Sequence, residues 1–115
     1  VLFASGGFVI LPGGVSTIRS LEKTLEAVPE GLQIGIEGHT DDTPIQTREI
    51  ADNWELSSKR AMAVMHSLRL SPKLVKRLVL MAYGEMHPLV PNRTPAGAPI
   101  AENQSKNRRV TIRIF

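Results

Sequence analysis

The residues able to do chemistry fall in two short stretches, Gly38-His39-Thr40-Asp41 and Asn53-Trp54-Glu55-Leu56-Ser57-Ser58-Lys59-Arg60-Ala61. Asp41 offers a carboxylate that accepts hydrogen bonds from an ammonium group. Arg60 offers a planar guanidinium that can hold a carboxylate through parallel charge-assisted hydrogen bonds. Brought to one cleft, the two suit a zwitterionic ligand such as one end of an amino acid. The same residues also admit a plainer account, in which Asp41 braces its loop and Arg60 forms a structural ion pair with Asp41 or Glu55. Asp52 and Asn53 are ordinary helix caps under either account, and Trp54 reads as a packing residue at a helix start.

Other chemistries find little support. His39 lies beside Asp41 and Asp42, yet His66 falls on a helix and His87 in a loop, so no metal-ligand spacing repeats. Ser57 lacks the glycine-flanked elbow that activates a serine nucleophile, and the adjacent Asp41 and Asp42 diverge, unlike the paired carboxylates of a glycosidase. The chain has no cysteine, which excludes a thiol nucleophile and a thiolate metal site. The net charge of +3 is spread out except around Lys106-Asn107-Arg108-Arg109, and none of the five aromatic residues flanks that cluster, so nucleic-acid binding is not indicated. No enzyme activity and no cofactor are expected.

The elements that must position Asp41 and Arg60 can be read from periodicity. Val1 to Ala4 begins as a strand that Ser5-Gly6-Gly7 breaks. Val15, Ile18, Leu21, Leu25 and Val28 recur at helical spacing with Arg19, Glu22, Lys23 and Glu26 opposite, until Pro29 and Gly31 stop the helix. Leu32 to Glu37 alternates with period two and predicts a strand running into the Asp41 loop. Asp52 to Glu55 forms a capping box for a second helix with Ala61, Val64, Met65 and Leu68 as its core stripe, and Ser71-Pro72 opens a short helical turn. Leu78 to Tyr83 reads as a buried strand, Gly84 to Lys106 as a long proline-rich loop, and Arg109 to Ile114 as a last strand alternating Val110, Ile112 and Ile114 with polar neighbours. The order β-α-β-α-β-β predicts an α+β or α/β unit with helices packed on one face of a mixed parallel and antiparallel sheet. The long crossovers suit parallel pairing, and the last strand is expected beside an inner one. Length and composition fit a single domain over residues 1–115. The chain begins at Val1 with neither initiator methionine nor signal peptide, so an upstream targeting or anchoring segment is expected.

Gly-His-Thr-Asp, then Asn-Trp-Glu-Leu-Ser-x-x-Arg-Ala, then Asn107-Arg108-Arg109-Val110, resembles the OmpA-like peptidoglycan-binding domain in order and kind over essentially the whole chain. The resemblance implies that Asp41, Asn53, Arg60 and Arg108 contact peptidoglycan, with Leu56 and Ser57 lining the floor. It implies a muramyl peptide with a diaminopimelate-type stem as ligand, whose side chain carries an ammonium and a carboxylate. The stretch Thr43-Pro44-Ile45 inserted before the Asn53 motif is similar to the periplasmic domain of MotB-type flagellar stator subunits, with type VI secretion anchors sharing related wording. That likeness implies a homodimer fixed to the inner membrane by an upstream helix, a stator channel subunit as partner, and no catalysis. On this reading Asp41→Asn or Arg60→Ala abolishes wall binding without unfolding the domain. The chain departs from the family pattern at Gln104, where an Arg is common, at Asp42, where Asn is commoner, at Asp52, where stator domains have Ser, and in a lengthened loop over 96–105. One alternative is an OmpA-like anchor of another envelope complex, a type VI secretion system or an outer-membrane lipoprotein or porin; the Gln104 change and the altered loop motivate another, a protein-interaction module that has lost wall binding. A wall hydrolase is a weaker alternative. The run Phe8 to Leu11 is more apolar than the family's usual segment there, which permits a partner surface, but it reads first as core.

Overall fold

The computed structural model describes residues 2–115. Pro12 opens a 3-10 turn, Pro12–Gly14, that leads into α1 (Val15–Glu26), where its missing N–H costs nothing. Strand β1 (Ile34–His39) follows, and then α2 (Asn53–Ser67). The Asp52 carboxylate caps α2 by accepting from the Glu55 amide at 2.9 Å, as the capping box predicts. After α2 come the short α3 (Pro72–Val75), β2 (Leu78–Ala82), α4 (Ala101–Asn107) and β3 (Arg109–Ile114).

Among the described residues one sheet forms, in the order β2-β1-β3. Strand β1 runs parallel to β2, in register Ile34↔Leu78, and antiparallel to β3, from Ile34↔Ile114 to His39↔Arg109. The helices cover one face. Ile18 of α1 and Ala61 and Val64 of α2 pack on Ile36 and Phe3, and Leu25 of α1 and Leu74 of α3 pack on Ile34. Ile34 and Ile36 are fully buried, and each such side chain contributes about 1.5–3 kcal/mol of transfer free energy. Helix α2 lies unusually close to β1: a Cβ at Gly38 would fall 1.8 Å from the Ser57 carbonyl oxygen. No helix of the described residues is long and apolar enough to cross a membrane.

The mixed sheet with helices on one face is the predicted class, with four corrections. Strand β2, expected to be buried, is only partly so, with Leu80 41% exposed. Val1 lies outside the described residues, and Leu2 to Ala4 join no strand; Leu2 accepts a backbone hydrogen bond from Leu11 at 2.8 Å, and Phe3 enters the core. The predicted loop over 84–106 ends in α4, whose buried residues are the polar Gln104 and Asn107, so no apolar stripe announced it. The segment Phe8 to Leu11 is core only in part: Ile10 packs against the cluster of Phe3, Ile18 and Ile36, whereas Val9 is 74% exposed and Leu11 37%. Phe8, Val9 and Ile10 also border an apolar groove of about 390 Å³ against Lys59, Met62, Ala63 and His66 of α2.

Candidate functional site

Asp41 follows β1 and Arg108 precedes β3. The antiparallel pair His39↔Arg109 therefore places both at the same end of the sheet. Arg108 Nη1 donates to Asp41 Oδ2 at 2.8 Å, and the Thr43 amide donates to Asp41 Oδ1 at 2.9 Å. Asp41 is thus both loop brace and ion-pair partner, and its partner is Arg108 rather than Arg60. Asn53, at the first position of α2, points its Nδ2 at the carbonyls of Thr43 (3.1 Å) and Asp41 (3.4 Å). It thereby fastens the loop to the helix start, while its neighbour Asp52 supplies the cap.

Arg60 lies on the same helical face as Leu56, one turn on, and is fully buried. Its Nε donates to the Gly7 carbonyl (2.8 Å), Nη1 to His39 (3.2 Å) and Nη2 to Ala4 (3.3 Å), and its plane lies over the Phe3 ring at 5.4 Å. Burial lowers its pKa, the Asp41 charge opposes this, and the Arg108 charge lowers it further, to about 10. It therefore stays a cation at neutral pH. Each terminal nitrogen makes one of these hydrogen bonds, which leaves it a second N–H.

Asp41, Asn53, Leu56, Arg60 and Arg108 line one cleft of about 180 Å³, walled by Ser5 and Gly6 on one side and Pro44 and Ile45 on the other. Ser57, expected on its floor, does not line it. Its hydroxyl donates to the Trp54 carbonyl (2.9 Å) and accepts from the Gly84 amide (2.9 Å), locking α2 to the turn after β2. Trp54 lies against Gly84 and is half exposed. With two guanidinium groups facing one carboxylate, the cleft has a surplus positive charge that favours an added anion. The apolar groove beside Phe8 is larger but presents no comparable charge pair.

Two groups around the cleft had no role assigned from sequence. Asn107 is fully buried: its Oδ1 accepts from the amides of Leu89 (2.8 Å) and Val90 (3.3 Å), and its Nδ2 donates to Val90 O and Asn92 Oδ1 (both 2.8 Å). It shapes the loop that precedes α4. Asn107→Leu is expected to lower stability by about 2–4 kcal/mol, since it strands buried backbone amides, and a urea titration would measure this. A second group gathers on the sheet face away from the helices. His39 stacks on Tyr83 with centroids 5.1 Å apart, its Nε2 lies 3.5 Å from Glu37 Oε1, and Arg113 Nε lies 2.9 Å from Glu37 Oε2 without hydrogen-bond alignment.

Burial, then the Arg109 charge, holds the His39 pKa below its ordinary 6.5, with Glu37 pulling the other way and His87 adding slightly to the lowering. A histidine whose folded pKa is depressed stabilises the fold fully above its unfolded pKa. That contribution is lost as pH falls through about 6.5 toward the folded value. The urea midpoint is therefore expected to drop between pH 7.5 and pH 5, and the drop should shrink in His39→Gln.

The family model described as OmpA family matches residues 2–112. The chain belongs to the OmpA family. Within that family it is 37% identical over its whole length to Motility protein B of Bacillus subtilis and 33% identical over 97% of its length to the uncharacterised protein YtxE of the same organism. It spans less than half of these relatives, 42% and 43% respectively. The C-terminal domain of Helicobacter pylori MotB superposes with a TM-score of 0.81 at 28% identity, over 97% of this chain and 80% of that one. The structure described as the cell wall anchor of the type VI secretion system of Pseudomonas aeruginosa superposes with a TM-score of 0.77 at 27% identity, over 99% and 74%. The OmpA-family membership expected from the three motifs is thus established, and MotB C-terminal domains share the fold.

Proposed function

We propose that this OmpA-family domain binds peptidoglycan without catalysis and anchors a membrane complex, a flagellar stator of the MotB kind, to the cell wall from the periplasmic side. The observation that carries the reading is the convergence of Asp41, Arg60 and Arg108 on one small cleft. A stem-peptide diaminopimelate brings an ammonium that Asp41 accepts and a carboxylate that the free N–H groups of Arg60 and the Arg108 guanidinium share. Leu56, Pro44 and Ile45 supply apolar walls for the aliphatic part of such a side chain. The likeness to Motility protein B across the whole chain supports the stator assignment, with a homodimer and a stator channel subunit as partners. The type VI anchor likeness supports the same wall-binding role in another envelope complex.

Co-sedimentation with purified sacculi tests this. The parent chain is expected to pellet with sacculi and release no wall fragments. Asp41→Asn, which keeps the shape but removes the charge, is expected to lose at least ~10-fold in affinity with its far-UV spectrum intact. A folded Asp41→Asn protein that bound like the parent would remove the cleft from consideration. A parent chain that left sacculi untouched would favour the protein-interaction reading, for which the groove between Phe8–Ile10 and α2 is the surface at hand.

A further inference from the structure

Asp41 and Asp42 are consecutive carboxylates at the end of β1, and each has its own guanidinium. Arg108 pairs with Asp41 at 2.8 Å, and Arg93 Nε donates to Asp42 Oδ2 at 2.7 Å. We propose that Arg93 is a positioning residue for the Asp41–Arg108 pair, acting through Asp42 and Gln104, and that it sets the affinity of the cleft without touching the ligand. This rests on the peptidoglycan-binding reading.

The second Asp42 oxygen, Oδ1, accepts from Gln104 Nε2 at 2.9 Å. Gln104 is a buried residue of α4 whose backbone carbonyl accepts from the Arg108 amide at 3.2 Å. The links Asp42 to Gln104 and Asp41 to Arg108 are therefore two ties between the same loop and the same helix end. They fix the loop's rotation as well as its distance. Arg93 reaches this junction from a tight turn: its Nη1 donates to the Gly97 carbonyl at 3.1 Å, Arg93 and Pro99 form an antiparallel bridge, and the Thr94 amide donates to Ala98 at 2.8 Å. Its guanidinium is thus held in place before it meets Asp42. None of Arg93, Asp42 and Gln104 lines the cleft, so their influence on a ligand passes through Asp41 and Arg108.

Electrostatics points the same way. Burial would raise the Asp42 pKa, but hydrogen bonds from Gln104 and Arg93 and the Arg93 charge outweigh it and hold the carboxyl below its ordinary value. Without Arg93, a charged Asp42 becomes a rival claimant for the Arg108 guanidinium and weakens its alignment on Asp41. The Arg93 side chain is 42% exposed, and ion pairs this open contribute little to stability. Its removal should therefore register in binding far more than in melting.

The test is calorimetric titration of this chain with a muramyl tripeptide containing diaminopimelate, with Arg93→Ala, Arg93→Lys, Asp42→Asn and the Arg93→Ala/Asp42→Asn double variant. Arg93→Ala is expected to bind about 5–10-fold more weakly with its melting temperature nearly unchanged, Arg93→Lys to recover part of the loss, and the double variant to be no weaker than the poorer single. The affinity deficit of Arg93→Ala relative to the parent should also shrink as pH falls and Asp42 takes up its proton, because a neutral Asp42 no longer competes for Arg108; a purely structural role would leave the deficit unchanged with pH. Parent-like affinity and pH profile in Arg93→Ala overturn the positioning role and leave the wall-binding reading standing. No binding by the parent overturns the wall-binding reading, and the positioning role with it.

Discussion

Gly38→Ala is expected to be the most damaging conservative change in the chain, lowering stability by about 3 kcal/mol or more. The added methyl would fall 1.8 Å from the Ser57 carbonyl oxygen and 2.7 Å from its carbon. Both atoms belong to the backbone of α2, so no side-chain rotation relieves the contact. The helix must lift from β1, and the layer of Ile36, Ala61 and Val64 beneath it opens. The site suffers with the core, because the lifted helix carries Asn53, Leu56 and Arg60 away from Asp41. Urea denaturation followed by circular dichroism would measure the loss. A variant within about 1 kcal/mol of the parent would mean that α2 and β1 pack less closely than this geometry requires.

Arg60→Ala ranks next. Three backbone carbonyls, those of Ala4, Gly7 and His39, lose their donor together, and Phe3 loses the cation over its ring. Emptying these acceptors, of which the His39 carbonyl is buried, and leaving a cavity where the fully buried arginine stood is expected to cost about 3–5 kcal/mol. That is a large share of the stability of a domain this size. The residue is therefore a structural clamp as well as a ligand candidate, and Arg60→Ala is not the clean binding variant that the motif alone suggests. Thermal melting should show a pronounced drop, and hydrogen exchange over residues 4–7 should accelerate. Arg60→Lys, with a single ammonium in place of a fork, should lie between. Melting of Arg60→Ala within a few degrees of the parent would show that the N-terminal segment is held by other contacts.

Much of this arrangement was legible in the chain because the signals were local. Asp52 and Glu55 announce the start of α2, the spacing of Ile18, Leu21 and Leu25 announces α1, and Ile34 and Ile36 announce the helix-facing side of β1, although Glu37 and His39 on its other side are buried as well. The segments that escaped had no such signal. Helix α4 buries Gln104 and Asn107, so a search for apolar periodicity passes over it. Leu2 to Ala4 has a strand's composition, but the Leu2 carbonyl is taken by Leu11 rather than by a ladder. At the cleft, residue chemistry paired Asp41 with Arg60, and the resemblance to the OmpA-like motifs added Asn53, Leu56 and Arg108, whereas Ser57 was misplaced because its acceptor role depends on Gly84, 27 positions away. The partners of Arg60 lie 21, 53 and 56 positions upstream, Asp42 lies 51 positions before Arg93, and the partners of Asn107 lie in a distant loop, which no local pattern encodes.

The placement of Asp41 and Arg108 at one end of the β1–β3 ladder has a mechanical meaning. A ligand gripped by both would draw two antiparallel neighbours in the same direction at once. The bonds between them, from His39↔Arg109 to Ile34↔Ile114, would then feel no relative sliding, and tension would pass into the sheet as a unit. Only a force spreading the loop sideways from the last strand would open the ladder, one rung at a time from His39↔Arg109. A tether hooked at this corner is therefore strong along the strands and weak across them.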